Sequence, residues 1–247
     1  MESCICTAVG KERLSQRDYA LAEKRLTFEG HSPEPKTPAP GKRESFEPRR
    51  IFLLSPANSG GIRAKMLFSP NAQFDLAERL SNSSVPLWEV FSFISGLYFR
   101  GKLAYAERFK NPPPEVPGVH IITPAAGLLL PEEPMTLARL KSIAGSSVDP
   151  ENPEYRRPLD RDVFRLRELL GHDTQVILLG SIATQKYVLP LLEVFGDRLL
   201  FPRDFVGRGD MSRGSLLLRS CSLGSPLEHI PVLGATRRGR RPPKLKR

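Results

Sequence analysis

The residues best suited to chemistry lie between positions 199 and 219, where a short apolar run opens into a charged loop rich in glycine. The loop carries three arginines and two aspartates, namely Arg203, Asp204, Arg208, Asp210 and Arg213. Guanidinium groups bind phosphate and carboxylate in bidentate fashion, and carboxylates can orient them or transfer a proton. The pattern predicts an anion site. The alternative is a set of Arg–Asp pairs that only fix a long loop.

A second polar loop follows the apolar run at residues 51–54. It holds Asn58, Ser59, the adjacent Gly60 and Gly61, and Arg63. Adjacent glycines let backbone N–H groups approach an anion, and the arginine can complete the contact. The spacing is neither GxGxxG nor GxxxxGK[ST], so it does not indicate a dinucleotide or P-loop nucleotide site. A plain tight turn is an equally compatible interpretation.

A third polar position, Ser181, follows the apolar run at residues 175–180 and precedes a helical pattern. A serine in this place typically caps the helix that follows it. The functional alternative is that the free amides of the helix N-terminus face a phosphate or carboxylate.

Five short apolar runs alternate with helical patterns and define the predicted fold. The runs predict strands at residues 51–56, 119–123, 175–180, 198–202 and 229–234, and the three- to four-residue spacing predicts helices at 71–80, 86–109, 135–145, 157–171 and 182–196. Continuous apolar strands separated by helices are typical of a parallel sheet covered on both faces. We expect an α/β fold, three-layered and Rossmann-like, with a mainly parallel sheet of about four to five strands.

In such sheets ligands bind at the carboxyl ends of the strands, where loops from distant parts of the sequence meet. We therefore expect the three polar loops to line one cleft that accepts negative charge. Asn58, Asp204 and Asp210 are the candidates for positioning a water molecule or moving a proton. Anion contacts are expected from Ser59, Gly60, Gly61, Arg63, Ser181, Arg203, Arg208 and Arg213.

The helical stretch at residues 86–109 is rich in aromatic side chains, with cations such as Arg100 and Lys102 among them. Aromatic residues at helical spacing predict core packing. The mixture of rings and cations also suits a surface that stacks and holds a nucleic-acid strand.

The net charge of +10 is concentrated at the C-terminus. Residues 51–236 hold 20 basic and 19 acidic side chains, whereas residues 237–247 hold seven basic and no acidic ones. A basic block of this kind is typically disordered and often contacts nucleic acid; the alternative is a solvated tail that aids solubility. The residues concerned are Arg237, Arg238, Arg240, Arg241, Lys244, Lys246 and Arg247.

The domain organisation follows from the same composition. Residues 1–49 include a proline-rich stretch and predict a disordered leader, residues 50–236 predict one α/β domain, and residues 237–247 form the basic tail. Three cysteines and four scattered histidines show no metal-ligand spacing, so we expect no metal and no cofactor. No apolar stretch reaches the length of a membrane span and no signal-peptide profile is present, which favours a cytoplasmic protein.

Three segments resemble a known group of domains: GLYFRGKLAYAERF at 96–109, ITPAAGLLLPEEP at 122–134 and VILLGSIATQKYVLPLLEVF at 176–195. Their order is similar to that of the YaaA-like and archaeosine-synthase-associated bacterial domains, which are similar in plan to the uracil-DNA glycosylase superfamily. The resemblance covers roughly residues 51–220. It implies a nucleic-acid or nucleobase context, with Asn58 in the place of the residue that positions water for cleavage of the base–sugar bond. The late loop of this chain has arginines where glycosylases have a histidine.

Together these observations predict a protein related to nucleic acid or nucleotides, with an anion-binding cleft and a glycosylase-like plan; whether it is an enzyme stays open. One alternative is a non-catalytic nucleic-acid-binding protein. Another is a sensor of a small anionic metabolite.

Overall fold

The computed structural model describes residues 47–240, 242 and 243. The strands are β1 (Arg50–Leu54), β2 (Val85–Pro86), β3 (Val119–Ile122), β4 (Leu128–Leu129), β5 (Pro134–Met135), β6 (Gln175–Leu179), β7 (Leu199–Pro202) and β8 (His229–Pro231). The helices are α1 (Ile62–Phe68), α2 (Asp75–Asn82), α3 (Leu87–Ser95), α4 (Leu97–Phe109), α5 (Leu137–Ala144), α6 (Pro153–Leu169), α7 (Gln185–Phe195) and α8 (Asp210–Leu223). Short 3₁₀ helices flank β7 at Gly196–Arg198 and Arg203–Phe205.

The main sheet has the strand order β4-β3-β1-β6-β7-β8. The four central strands are parallel, and the edge strands β4 and β8 are antiparallel to their neighbours. A mostly parallel α/β sheet is therefore confirmed. The predicted count of four to five strands is wrong, because the main sheet has six. The extra strand, β4, is only two residues long and gives no sequence signal of its own.

The parallel strands form the centre of the hydrophobic core. All five residues of β1 and all four of β7 are buried, as expected for strands covered on both faces. Phe52 in β1 is completely buried and packs edge-to-face against the ring of Tyr105 in α4, with centroids 5.8 Å apart. Because β1 is fixed between β3 and β6, the direction in which its following loop leaves the sheet is fixed as well.

The single helix predicted at residues 86–109 is two helices. Gly96 has φ +58°, a conformation that side chains with a Cβ rarely adopt, and it ends α3 and precedes α4. The break turns α4 so that it packs closely on α8. A Cβ on Gly101 would come 2.8 Å from the carbonyl oxygen of Gly214, and one on Gly214 would come 2.9 Å from that of Leu97. Glycine at both positions is thus what lets the two helix backbones meet.

Other helix boundaries differ from the prediction at their N-termini. Helix α6 begins at Pro153, four residues before the expected start, because Asn152 accepts a hydrogen bond from the amide of Glu154 and caps it. Helix α1 was not expected at all, since it is short and lies in the glycine-containing loop. No helix in the described part of the chain is both long and apolar enough to cross a membrane.

Candidate functional site

A cleft of about 480 Å³ lies at the carboxyl ends of three parallel strands, β1, β3 and β6. Loops after these strands, the loop after α5, and the first turns of α4, α7 and α8 form its walls. Its lining side chains are mainly hydroxyl-bearing or charged. They include Ser55, Asn58, Ser59, Ser95, Tyr98, Ser146, Ser147, Ser181, Lys186, Tyr187, Asp210 and Arg213.

Five of the residues singled out from the sequence line this cleft, although they come from distant parts of the chain. They are Asn58, Ser59, Ser181, Asp210 and Arg213. The expectation that polar loops meet at one edge of the sheet thus agrees with the geometry for these side chains. Their roles in binding or catalysis stay predictions.

The three residues from the strand-end loops also have local structural contacts. Asn58 Oδ1 accepts a hydrogen bond from the Gly60 amide at 3.1 Å and so fixes the turn after β1. Ser59 Oγ donates to the carbonyl of Ala144 at 3.4 Å, which ties this loop to the end of α5. Ser181 Oγ accepts from the Ala183 amide at 3.3 Å, and no side-chain cap is present on α7 itself.

Arg213 is the cation of the charged loop that reaches the cleft. Its Nε and Nη2 donate to the carbonyl of Phe205 at 3.2 and 3.1 Å, and Nη1 lies 3.6 Å from Asp210 Oδ1. The side chain is only 9 % exposed. The two bonds to one carbonyl hold the guanidinium in a defined orientation, which is what recognition of an anion requires.

The other predicted anion-binding arginines do not line the cleft. Arg203 pairs with Glu228 at 3.1 Å, and Arg208 donates to the carbonyl of Asp204 at 2.9 Å. Arg63 donates to the carbonyl of Phe93 at 3.2 Å near the end of α3. Asp204 lies in the 3₁₀ turn after β7 and is exposed. Arg203 and Arg208 thus hold the charged loop through Glu228 and a backbone carbonyl, rather than through the Arg–Asp side-chain pairs of the alternative.

The glycine pair of the first loop also lies outside the residues that line the cleft. A Cβ on Gly61 would come 3.3 Å from the carbonyl oxygen of Asn58, and the Gly61 amide donates to that same oxygen. Gly60 donates its amide to the side chain of Asn58. Both amides that could approach an anion are therefore used within the turn, which matches the tight-turn interpretation.

Lys102, one of the cations that the sequence offered for a nucleic-acid surface on the stretch at residues 86–109, is instead buried behind the cleft. Lys102 of α4 is 1 % exposed, and its Nζ donates to the backbone oxygen of Ser55 and lies 2.9 Å from Ser55 Oγ. It also lies over the rings of Tyr98 and Phe99, at 4.7 and 5.0 Å from their centroids. Burial lowers the pKa of Lys102 to about 7, with Asp210 opposing the shift and Arg213 adding to it.

The sequence signal for this lysine is its helical spacing. Lys102 stands four residues after Tyr98 and three before Tyr105, and both tyrosines are buried on the same side of α4. A cation within the apolar stripe of a helix must lose water on folding. Such a position is therefore a candidate for a lysine with a shifted pKa.

Two tyrosines add aromatic surface and hydrogen-bonding hydroxyls to the cleft. The hydroxyl of Tyr98 is buried close to the guanidinium of Arg213 and makes no hydrogen bond of normal geometry among the described residues. Burial raises the pKa of Tyr98, and burial raises that of Tyr187 to about 12, so both phenols are neutral at pH 7.

The described part of the basic segment lies beside the loop that leads into α8. Gly207 has φ +73°, and a Cβ at this position would clash with the carbonyl oxygen of Arg240. Arg208 donates a hydrogen bond to the carbonyl of Pro243. Arg238 and Arg240 are exposed, and Arg237 is half-buried. The predicted contacts of Arg241, Lys244, Lys246 and Arg247 lie outside the described residues, as does most of the predicted leader.

Within the described ranges no group of three or more His, Cys, Asp or Glu side chains could hold a metal ion. Comparisons with protein-family models, with curated proteins and with solved structures give no significant match.

Proposed function

We propose that the protein binds a nucleotide, free or within a nucleic-acid strand, in the cleft at the carboxyl ends of β1, β3 and β6. The observation that carries the proposal is the combination of an oriented arginine, an exposed lysine and two tyrosines around one cavity lined with hydroxyls. The Rossmann-like, three-layer arrangement predicted from the sequence is part of this proposal, since that architecture binds nucleotides at this edge of its sheet.

The size and lining of the cleft suit a ligand with both a flat and a charged part. A volume of about 480 Å³ lies within the range of small-molecule and cofactor sites. Tyr187 offers a ring for a base to stack on, and Lys186 and Arg213 offer positive charge for a phosphate. Asp210 offers an acceptor for a ribose hydroxyl or a base amino group.

The charge balance of the lining favours an anion. The lining contains two cations, Lys186 and Arg213, and one carboxylate, that of Asp210. Three of the serines on the strand-end and α5 loops supply neutral donors that tolerate a phosphate without repelling it. These are Ser146, Ser147 and Ser181.

Isothermal titration calorimetry with the four ribonucleoside monophosphates and with inorganic phosphate tests the proposal. We expect nucleotides to bind and to bind more tightly than phosphate, because only they use the aromatic wall. Lys186→Ala removes an exposed cation and should weaken nucleotide binding roughly tenfold, the scale of one charge-assisted contact. The matched control is Arg165→Ala, which removes an exposed cation from α6 away from the cleft.

Absence of binding by the wild type at millimolar nucleotide would refute the proposal. Equal loss in the Lys186→Ala and Arg165→Ala variants would refute the location of the site. Equal affinity for all nucleotides and for phosphate would instead support the alternative of a sensor for small anions.

A second candidate, non-catalytic binding of single-stranded nucleic acid, is favoured by the position of the described part of the basic segment. Arg240 lies beside Gly207, which is close in sequence to Asp210 and Arg213 of the cleft. A strand with one nucleotide in the cleft can continue along these cations. Deletion of residues 237–247 should then flatten the salt dependence of binding to an oligonucleotide, because fewer counterions are released, and leave mononucleotide binding unchanged.

A catalytic form of the proposal is cleavage of a base–sugar bond, as the resemblance implies. Asn58 and Asp210 are then the groups that position a water molecule or accept its proton. Release of free base from a bound nucleoside or oligonucleotide, measured by chromatography, tests this form. No release by the wild type would leave a binding function only.

A further inference from the structure

We propose that Ser55 and Lys102 form a nucleophile–base pair that cleaves a carboxylic ester of an anionic substrate in this cleft. The proposal goes beyond nucleotide binding and does not depend on a nucleotide as the ligand. It rests on the position of the two side chains, on their burial and on a buried tyrosine hydroxyl close to the same cavity.

The first observation is the contact between the two side chains. Lys102 Nζ lies 2.9 Å from Ser55 Oγ, within hydrogen-bond distance for proton transfer. Ser55 follows directly after β1 and lines the cleft, whereas Lys102 approaches it from α4 behind the wall. The serine can thus reach a ligand directly, and the lysine lies immediately behind the serine.

The second observation is the fixed position of the serine. Its amide donates to the carbonyl of Leu179 at 3.2 Å, and its backbone oxygen accepts from Lys102. On the other side, a Cβ on Gly180 would lie 3.0 Å from Ser55 Cβ and 3.3 Å from Oγ. The absence of a side chain at Gly180 therefore leaves room for Oγ at the end of the sheet.

The third observation is the environment of the amine. Lys102 is buried against the rings of Tyr98 and Phe99 and forms no salt bridge among the described residues. The charged groups that face it belong to α8, namely Asp210, which favours its protonated form, and Arg213, which opposes it. Burial exceeds both effects and brings the pKa of the amine to about 7. A substantial fraction of neutral amine at neutral pH is what a general base requires.

The fourth observation is a donor for the charge that develops on the substrate. Tyr98 lines the cleft, and its hydroxyl is buried beside the guanidinium of Arg213, with no hydrogen bond of normal geometry in the described part of the chain. Burial keeps this phenol protonated, so it can donate a hydrogen bond to the carbonyl oxygen as that oxygen becomes negative. Arg213 and Lys186 supply the positive charge that holds an anionic group elsewhere on the ester.

These positions define a balanced reaction. Ser55 Oγ forms a bond to the ester carbonyl carbon, and its proton passes to Lys102 Nζ. The bond to the alcohol oxygen breaks, and Lys102 returns the proton to that oxygen. Water then attacks the acyl-Ser55 ester by the same route, releases the carboxylic acid and regenerates the serine.

A fluorophosphonate probe tests the pair without knowledge of the natural ester. The activated serine oxygen forms a bond to phosphorus, fluoride leaves, and the adduct is located by intact-mass and peptide mass spectrometry. In the wild type we expect modification at Ser55, with a rate that rises with pH through the region around 7. Ser55→Ala should abolish the adduct, and Lys102→Met should slow its formation at least a hundredfold.

Ser215→Ala is the matched control, because Ser215 is exposed on α8 and its Oγ donates within the helix, to the carbonyl of Met211. This variant should be modified at the wild-type rate. Circular dichroism checks that each variant is folded. If Lys102→Met does not fold, the pH profile of the wild type still decides, since a serine without a base shows no rise of this kind near pH 7.

The proposal is overturned if the probe leaves Ser55 unmodified at pH 8.5. It is equally overturned if folded Lys102→Met reacts at the wild-type rate, or if the wild-type rate is flat between pH 6 and 8.5. Nucleotide titration of the same samples separates the two proposals. Binding without modification at Ser55 refutes only the pair, and modification without nucleotide binding refutes only the proposed function.

Discussion

The buried amine of Lys102 should give the folded protein a stability that depends on pH in a defined direction. In the unfolded chain the amine has its ordinary pKa of 10.5, whereas burial lowers it to about 7 in the fold. Between these two values the unfolded state binds more protons than the folded state. The free energy of unfolding therefore increases as the pH rises from about 7 towards 10.5, and this contribution is lost as the pH falls through 7.

The magnitude follows from the two pKa values. Each pH unit well above the folded pKa contributes about 1.4 kcal/mol, and integration from pH 7.0 to 8.5 with half-protonation at pH 7 gives about 1.6 kcal/mol. Lys102→Met replaces the amine with an apolar side chain of similar length and should remove this increment. Other groups that titrate in this window are present in both proteins, so their effects cancel when the two pH increments are subtracted.

Urea denaturation of the wild type and of Lys102→Met at pH 7.0 and 8.5, followed by circular dichroism, measures the difference. We expect the wild-type increment to exceed that of the variant by about 1.6 kcal/mol. The same increment in both proteins would refute the assignment of a largely neutral amine at neutral pH. It would also remove the support that this amine gives to Ser55 as a nucleophile.

Two further changes test the packing and the electrostatics. Gly214→Ala should destabilise the fold by about 1–3 kcal/mol, because the added Cβ would meet the backbone of α4 at 2.9 Å. The control Gly145→Ala, whose added Cβ would have 3.5 Å of space at φ −72°, should be neutral or slightly stabilising in the same urea titration. Nε2 of His229 forms a hydrogen bond with the Tyr105 hydroxyl at 3.0 Å, and burial lowers the pKa of His229 to about 4. In the unfolded chain this histidine gains a proton below a pH of about 6.5. Between pH 7 and 4 the free energy of unfolding of the wild type should therefore fall by roughly 3 kcal/mol more than that of His229→Gln, and an equal fall in both proteins would contradict this.

The central strands could be predicted from the sequence because their signal is local. Residues 51–54 and 175–179 are continuous apolar runs, which is the pattern of parallel strands buried on both faces. The break at Gly96 depends on a positive φ within a stretch that is apolar on both sides, and periodicity alone does not reveal it. Strand β4 forms only because Leu128 and Leu129 pair with β3, which is a tertiary contact.

The cleft could be predicted in part for the same reason. The rule that loops meet at the carboxyl edge of parallel strands placed Asn58 and Ser181 together. It did not separate Arg213 from Arg203, because that choice depends on which side chain faces the cavity after the loop has turned into α8. The burial of Lys102 is likewise set by the approach of α4 to the end of β1, a contact between residues 47 positions apart.

A crystal structure of the protein grown with a nucleoside monophosphate would show directly whether the cleft binds a nucleotide. We expect the nucleotide in the cleft, with its phosphate in contact with Lys186 or Arg213 and its base against Tyr187. A nucleotide bound at another surface, or a cleft that stays empty at saturating concentration, would contradict this expectation.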